Sequence, residues 1–141
     1  MKKTAVIYWS GTGNTEAMAN AVLEGMKAAG AEATLLTPDQ VDASALSDYA
    51  AIAFGCPAMG SEVLEESEFE PMFDGCKSSI GGKRVALFGS YGWGDGEWMR
   101  SWEKSCDDAN INLFTESVIC CEAPDDDALA ACTAMGKALA E

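Results

Sequence analysis

Three apolar runs in this chain each stop abruptly at a loop of glycines and small polar residues. Thr4–Trp9 runs into Ser10-Gly11-Thr12-Gly13-Asn14-Thr15, and Tyr49–Cys56 into Pro57-Ala58-Met59-Gly60-Ser61-Glu62. Arg84–Gly89 runs into Ser90-Tyr91-Gly92-Trp93-Gly94-Asp95-Gly96. Short runs rich in aliphatic and aromatic residues read as strands covered on both faces. Each loop leads into a segment of helical period; after the first, Met18, Val22, Gly25, Met26 and Ala29 share one helix face. A strand, a loop and a helix in that order return to the same sheet by a crossover, so the pattern demands an alternating α/β chain.

The rest of the chain fits that alternation. Gly30 is placed to end the first helix, and Glu32–Thr37 reads as a second strand. Residues 38–47 form a polar connection with room for a short helix. Phe69, Met72, Phe73 and Cys76 share a helix face, and Gly81-Gly82 breaks the chain before the fourth strand. A helix over Glu97–Asn110 turns Trp98, Met99, Trp102 and Cys106 inward. A fifth strand follows over Leu113–Cys121, then a helix over Asp125–Ala140 carrying Leu129, Cys132, Gly136 and Leu139 on one face. Acids in the first turn of that helix suit its dipole. Five strands so arranged predict a doubly wound parallel sheet with helices on both faces, one domain over residues 1–141. In such folds ligands bind beyond the carboxyl ends of the strands, where the three loops converge.

Charge narrows the partners. Nine Lys and Arg against 23 Asp and Glu give −14, which repels nucleic acid and anionic membranes. An acidic surface of this kind serves solubility, a partner with a basic face, or both. The apolar run at the N-terminus is too short for a signal-peptide core or a membrane span, so a cytoplasmic protein is expected. Six cysteines (Cys56, Cys76, Cys106, Cys120, Cys121 and Cys132) include no C-x-x-C, and there is no histidine. That pattern speaks against zinc, iron–sulfur and disulfide frameworks and for thiols packed as small hydrophobes. Without histidine the chain also lacks the usual acid–base catalyst of neutral pH.

The loops carry the chemistry. Hydroxyls, an amide and bare glycine N–H groups at a helix start make Ser10–Thr15 a phosphate cradle or, more plainly, a helix cap. A Walker A loop needs a lysine that is absent, and the dinucleotide fingerprint needs a glycine where Glu16 stands. In the second loop Met59 offers a polarizable wall, Gly60 backbone freedom and Glu62 an acceptor; the alternative is a turn with a capping acid. In the third, glycines flank Trp93, whose indole either stacks on an aromatic ligand or folds back on the core. Trp98 and Trp102 read as core, and Trp9 as either. Together the loops suit a phosphate ester of a flat, hydrogen-bonding heterocycle. Flavin mononucleotide (FMN) fits better than an adenine nucleotide, since no basic residue stands ready for a polyphosphate.

Tyr8 to Glu16, Gly55 to Glu62 and Leu87 to Gly94 resemble the flavodoxins, specifically the short-chain type of anaerobic bacteria. The resemblance spans nearly the whole chain with the loops in order. It implies the strand order 2-1-3-4-5 and tightly held FMN. It also implies low-potential one-electron carriage between redox enzymes, mainly between semiquinone and hydroquinone, without substrate turnover. Ser10, Thr12, Asn14 and Thr15 would then bind the phosphate together with the loop amides of Gly11 and Gly13. Met59 and Trp93 would cover the two ring faces, with Pro57, Ala58, Ser61 and Gly94 completing the loops. Glu62 would accept from flavin N3–H, the backbone of Ser90, Tyr91 and Gly92 would serve the pyrimidine edge, and the Gly60 carbonyl would turn toward N5–H. The partners implied are ferredoxin or flavodoxin reductases and oxidoreductases with basic docking faces, met by a monomer. Glu62, Asp95 and Glu97, with no lysine or arginine in the three loops, would disfavour an anionic reduced flavin.

A phosphoacceptor signalling domain would need acids where Ser10-Gly11 and Cys56-Pro57 stand. A flavin-dependent quinone reductase would need an inserted segment to build a substrate pocket, and a plain nucleotide-binding module would lack flavin altogether. The pair Cys120-Cys121 is expected to pack, although its position near the last strand end brings it close to the site.

Overall fold

Strand side chains alternate between two hydrophobic layers, and that alternation fixes the architecture. The computed structural model describes residues 2–59, 63–92 and 94–141. Five parallel strands, β1 (Lys3–Tyr8), β2 (Glu32–Leu36), β3 (Ala51–Gly55), β4 (Arg84–Tyr91) and β5 (Val118–Cys121), lie in the order β2-β1-β3-β4-β5. Ala5, Ile7, Ile52, Phe54, Val85 and Leu87 face one layer, closed by helices α2 (Phe69–Cys76) and α3 (Glu97–Asp108). Val6, Tyr8, Ala51, Ala53, Ala86 and Phe88 face the other, closed by α1 (Asn14–Ala28) and α4 (Asp126–Ala140). β3 is buried along its whole length, as a central strand with both faces covered must be.

The α2–α3 layer is aromatic. Phe69 and Phe73 each meet the Trp102 ring edge-on at 5.4 and 5.6 Å, and Phe54 meets Phe73 at 5.0 Å. Trp98 and Trp102 are core residues, 1% and 2% exposed. The α1–α4 layer is closed by glycines instead. A Cβ on Gly136 would lie 2.0 Å from the Val22 carbonyl oxygen, and one on Gly25 2.1 Å from that of Thr133. Only hydrogen fits at either crossing point.

Several boundaries differ from expectation, each for a local reason. Helix α1 ends in a Schellman motif: Gly30, at φ 90°, donates to Lys27 O, and Ala31 N–H to Met26 O. Ala29, expected on the buried face, is the exposed cap of that motif. Helix α3 stops at Asp108, two residues early, through the same device with Asn110 at φ 60°: Asn110 N–H meets Asp107 O and Ile111 N–H meets Cys106 O. In α4 Leu129 is only half-buried, while Met135 and Ala140 join Cys132, Gly136 and Leu139 inside. The polar connection after β2 holds two short 3-10 helices, Pro38–Gln40 and Ala43–Asp48.

The largest departures are at the sheet edge. β4 runs on to Tyr91, because Ser90 and Tyr91 pair with Cys120 and Cys121 of β5. β5 itself is short. Leu113 makes one isolated bridge to Val85, residues 114–117 leave the sheet, and pairing resumes at Val118. The excursion is held from outside: Phe114 stacks under the Arg84 guanidinium at 4.4 Å, and Ser117 donates to Glu103 at 2.7 Å.

Candidate cofactor site

The carboxyl ends of β1, β3, β4 and β5 surround a cavity of about 540 Å³. The first loop contributes Gly11, Thr12 and Asn14, and the second Pro57, Ala58 and Met59. Ser90, Tyr91 and Gly92 line it from the end of β4, and Trp9 from the end of β1. No lysine or arginine lines the cavity among the described residues.

The first loop is preorganised by Ser10. Its hydroxyl oxygen accepts the Gly13 N–H at 3.1 Å and the Glu16 N–H at 3.3 Å, folding the loop back on the start of α1. Gly13 takes φ 94°, and the first helical bond runs from Ala17 N–H to its carbonyl. The N–H groups of Asn14 and Thr15 stay at the open helix end, where backbone donors have no intrahelical acceptor. The Thr15 side chain is 1% exposed, and its hydroxyl has no partner among the described residues. A Cβ on Gly11 would lie 3.1 Å from the Trp9 ring, so the bare glycine lets the indole lie close to the loop. Ser10 and Gly13 line not this cavity but a neighbouring acidic cleft with Glu16, Asp39 and Glu68. There Tyr8 donates to Glu16 at 3.0 Å; burial, then that bond and the carboxylate charge, push the phenol up.

The second loop is fixed at its base. Cys56 donates its N–H to Phe88 O at 3.2 Å, and its carbonyl accepts the Trp98 indole N–H at 3.1 Å. Ala58 N–H reaches Ser90 O at 3.0 Å. A Cβ on Gly89 would lie 2.2 Å from the Cys56 carbonyl oxygen, so this close approach of strands and indole requires glycine. Farther on, Met59 N–H donates to Val63 O at 2.9 Å. Gly60, Ser61 and Glu62, expected to face a ligand, lie outside the described residues, as does Trp93.

Beyond the loop sits a feature that sequence reasoning missed. Glu65 is 6% exposed, and its carboxylate accepts three backbone N–H groups, from Ser67 (2.9 Å), Glu68 (2.7 Å) and Phe69 (2.8 Å). Burial pushes its pKa up, but the three donors at the start of α2 outweigh it and leave the group below the usual carboxylate range. Its own N–H donates to Cys56 Sγ at 3.4 Å. Burial pushes the Cys56 thiol up to about 12, so it stays neutral.

Glu122 and Ala123, which follow β5, were also missed and line the cavity. Glu122 adopts φ 59°, its carbonyl accepts the Ser90 hydroxyl at 2.5 Å, and its N–H meets Tyr91 O at 2.7 Å. The cysteine pair just before it does not line the cavity. Cys120 packs its sulfur 3.6 Å from Met18 Sδ, and Cys121, expected to pack, is exposed at the sheet edge. Asp95 is paired with Arg100 at 2.9 Å and does not line the cavity; among the described residues the acid that does is Glu122. Gly94, at φ 86°, shapes the third loop without lining the cavity.

The flavodoxin family model matches residues 6–136. The chain belongs to the flavodoxin family. It is 42% identical over 136 residues to the flavodoxin of Megasphaera elsdenii, covering 96% of this chain and 97% of that one. It is likewise 42% identical over 135 residues to the flavodoxin of Clostridium beijerinckii. The solution structure of two-electron reduced Megasphaera elsdenii flavodoxin superposes with a TM-score of 0.89 over 97% of this chain. As a flavodoxin of the short-chain type, the protein is an FMN-based electron carrier serving redox proteins. The residues present fit that cofactor: an open helix start and an orphaned buried hydroxyl suit a phosphate ester, and apolar Met59, Pro57 and Trp9 suit a flat ring. No helix among the described residues is long and apolar enough to cross a membrane.

Proposed function

We propose that residues 1–141 form one FMN-binding domain that works as a low-potential, one-electron carrier, cycling mainly between semiquinone and hydroquinone, without turnover of its own. The observation that carries the reading is the electrostatics of the cavity. Among the described residues its lining contains Glu122 and no cation, on a chain of net charge −14. An anion created by reduction there is opposed by like charge and by apolar walls. FMN supplies the one-electron chemistry; the chain supplies the surroundings that shift its energy from that of the free flavin.

In this reading Ser10 shapes the first loop by holding the Gly13 N–H, and the N–H groups of Gly11, Thr12, Asn14 and Thr15 with the hydroxyls of Thr12 and Thr15 and the amide of Asn14 hold the phosphate. Pro57, Ala58 and Met59 line one side of the ring, with Gly60, Ser61 and Glu62 at its N3 and N5 edge. Ser90, Tyr91 and Gly92 place backbone at the pyrimidine edge, Gly94 shapes the loop behind them, and Trp93 covers the other face. Partners are redox proteins presenting basic faces to an acidic monomer in the cytoplasm. Anaerobic titration with dithionite tests the carrier reading. Half-reduction should build a one-electron flavin spectrum, and NADH without a partner protein should reduce the flavin no faster than buffer. Direct two-electron reduction with no one-electron species, or sustained NADH oxidation, would overturn it.

A further inference from the structure

We propose that Glu65 is a positioning residue for flavin binding, holding two walls of the cofactor cavity from the first turn of α2. The inference rests on the FMN-binding reading above and adds a residue that does not itself touch the cavity. The geometry carries it. The Glu65 carboxylate gathers three N–H groups of the α2 start, of which one belongs to Glu68. The Glu68 carboxylate in turn accepts the Trp9 indole N–H at 3.3 Å, and Trp9 lines the cavity. On the other side, the Glu65 N–H meets Cys56 Sγ at 3.4 Å, and Cys56 leads directly into Pro57, Ala58 and Met59.

One residue therefore joins the end of β1, through its carboxylate, Glu68 and Trp9, to the base of the second loop, through its own backbone N–H. A helix cap alone needs neither connection. Three N–H bonds to a single buried carboxylate exceed what an exposed capping side chain supplies, and removing charge there loosens the joint rather than the core. In Glu65→Gln the side-chain oxygen can keep the Glu68 and Phe69 bonds. The amide nitrogen then opposes the Ser67 N–H, donor against donor. The variant folds with a displaced joint.

The test compares FMN with riboflavin, which carries the same ring without phosphate, on apoprotein of the wild type, Glu65→Gln and Glu65→Asp. Loosened ring walls weaken both flavins in parallel, by about tenfold in Glu65→Gln, corresponding to roughly 1.4 kcal/mol. The affinity ratio between the two flavins should stay at the wild-type value. Glu65→Asp, which keeps the charge but reaches less far, should fall between. Near-ultraviolet circular dichroism and urea unfolding of each apoprotein confirm that the fold is intact at the assay temperature. Loss of stability with both affinities within twofold of wild type would make Glu65 a structural cap only and overturn the proposal. Loss of FMN affinity alone would place the lesion at the phosphate loop and overturn it as well. Failure of the FMN reading shows separately, since the wild type would then bind neither flavin.

Discussion

Replacing Thr15 by valine should change apoprotein stability and FMN affinity in opposite directions. The side chain is 1% exposed, and its hydroxyl lacks a partner among the described residues. A buried hydroxyl without a hydrogen bond costs about 1–3 kcal/mol, and valine has the same shape and the same β-branching. Discounting for partial relaxation of the loop, the Thr15→Val apoprotein should gain about 1 kcal/mol in urea unfolding. If the hydroxyl donates to a phosphate oxygen, the lost bond is one to a charged group, about 1.5–3 kcal/mol, or about tenfold to 100-fold in Kd. Isothermal titration reads the affinity, and the increment in melting temperature produced by saturating FMN should shrink accordingly. Riboflavin binding should be unchanged, because it has no phosphate. An apoprotein that loses stability while binding FMN as well as the wild type would refute the reasoning, since the hydroxyl would then have a structural partner and no ligand.

Three further outcomes follow from the packing and the titrating groups. Gly136→Ala puts a methyl group 2.0 Å from the Val22 carbonyl oxygen; forcing α1 and α4 apart should cost about 3 kcal/mol in urea unfolding, and a change under 1 kcal/mol would mean that the crossing is looser than described. The lowered pKa of Glu65 makes its ionisation stabilising above the unfolded value of about 4.3 and progressively less so as pH falls through the folded value. Wild-type unfolding midpoints should therefore drop below that pH more steeply than those of Glu65→Gln, and parallel curves would count against it. Among the thiols, iodoacetamide should label exposed Cys121 first, while buried Cys56 and Cys132, each pushed up to about 12, should react only on unfolding; peptide mapping of the native protein reads the order.

What the sequence makes legible is what depends on local pattern. Strands buried on both faces are unbroken apolar runs, and Trp98, Met99, Trp102 and Cys106 share a helix face because i, i+1, i+4 and i+8 do so on any helix. The strand-end loops are legible because their composition has no other economical use in a core. What escapes depends on pairing between distant segments. Tyr91 becomes a strand residue only because Cys121 lies beside it, and Leu113 is cut off from β5 where Phe114 and Ser117 anchor the chain to Arg84 and Glu103. Glu122 reaches the cavity through a left-handed turn that a glutamate in sequence does not announce. Glu65 sits in an acidic run, Glu62-Val63-Leu64-Glu65-Glu66, where nothing local distinguishes the buried carboxylate from that of exposed Glu66.

The central claim is that this chain holds FMN in a cavity whose charge makes the second electron hard to add. Potentiometric titration of the purified holoprotein under anaerobic conditions at neutral pH measures that directly. The account predicts a second one-electron couple well below that of free FMN, rising toward it as added salt screens the acidic surface. A couple equal to or above that of free FMN would contradict it.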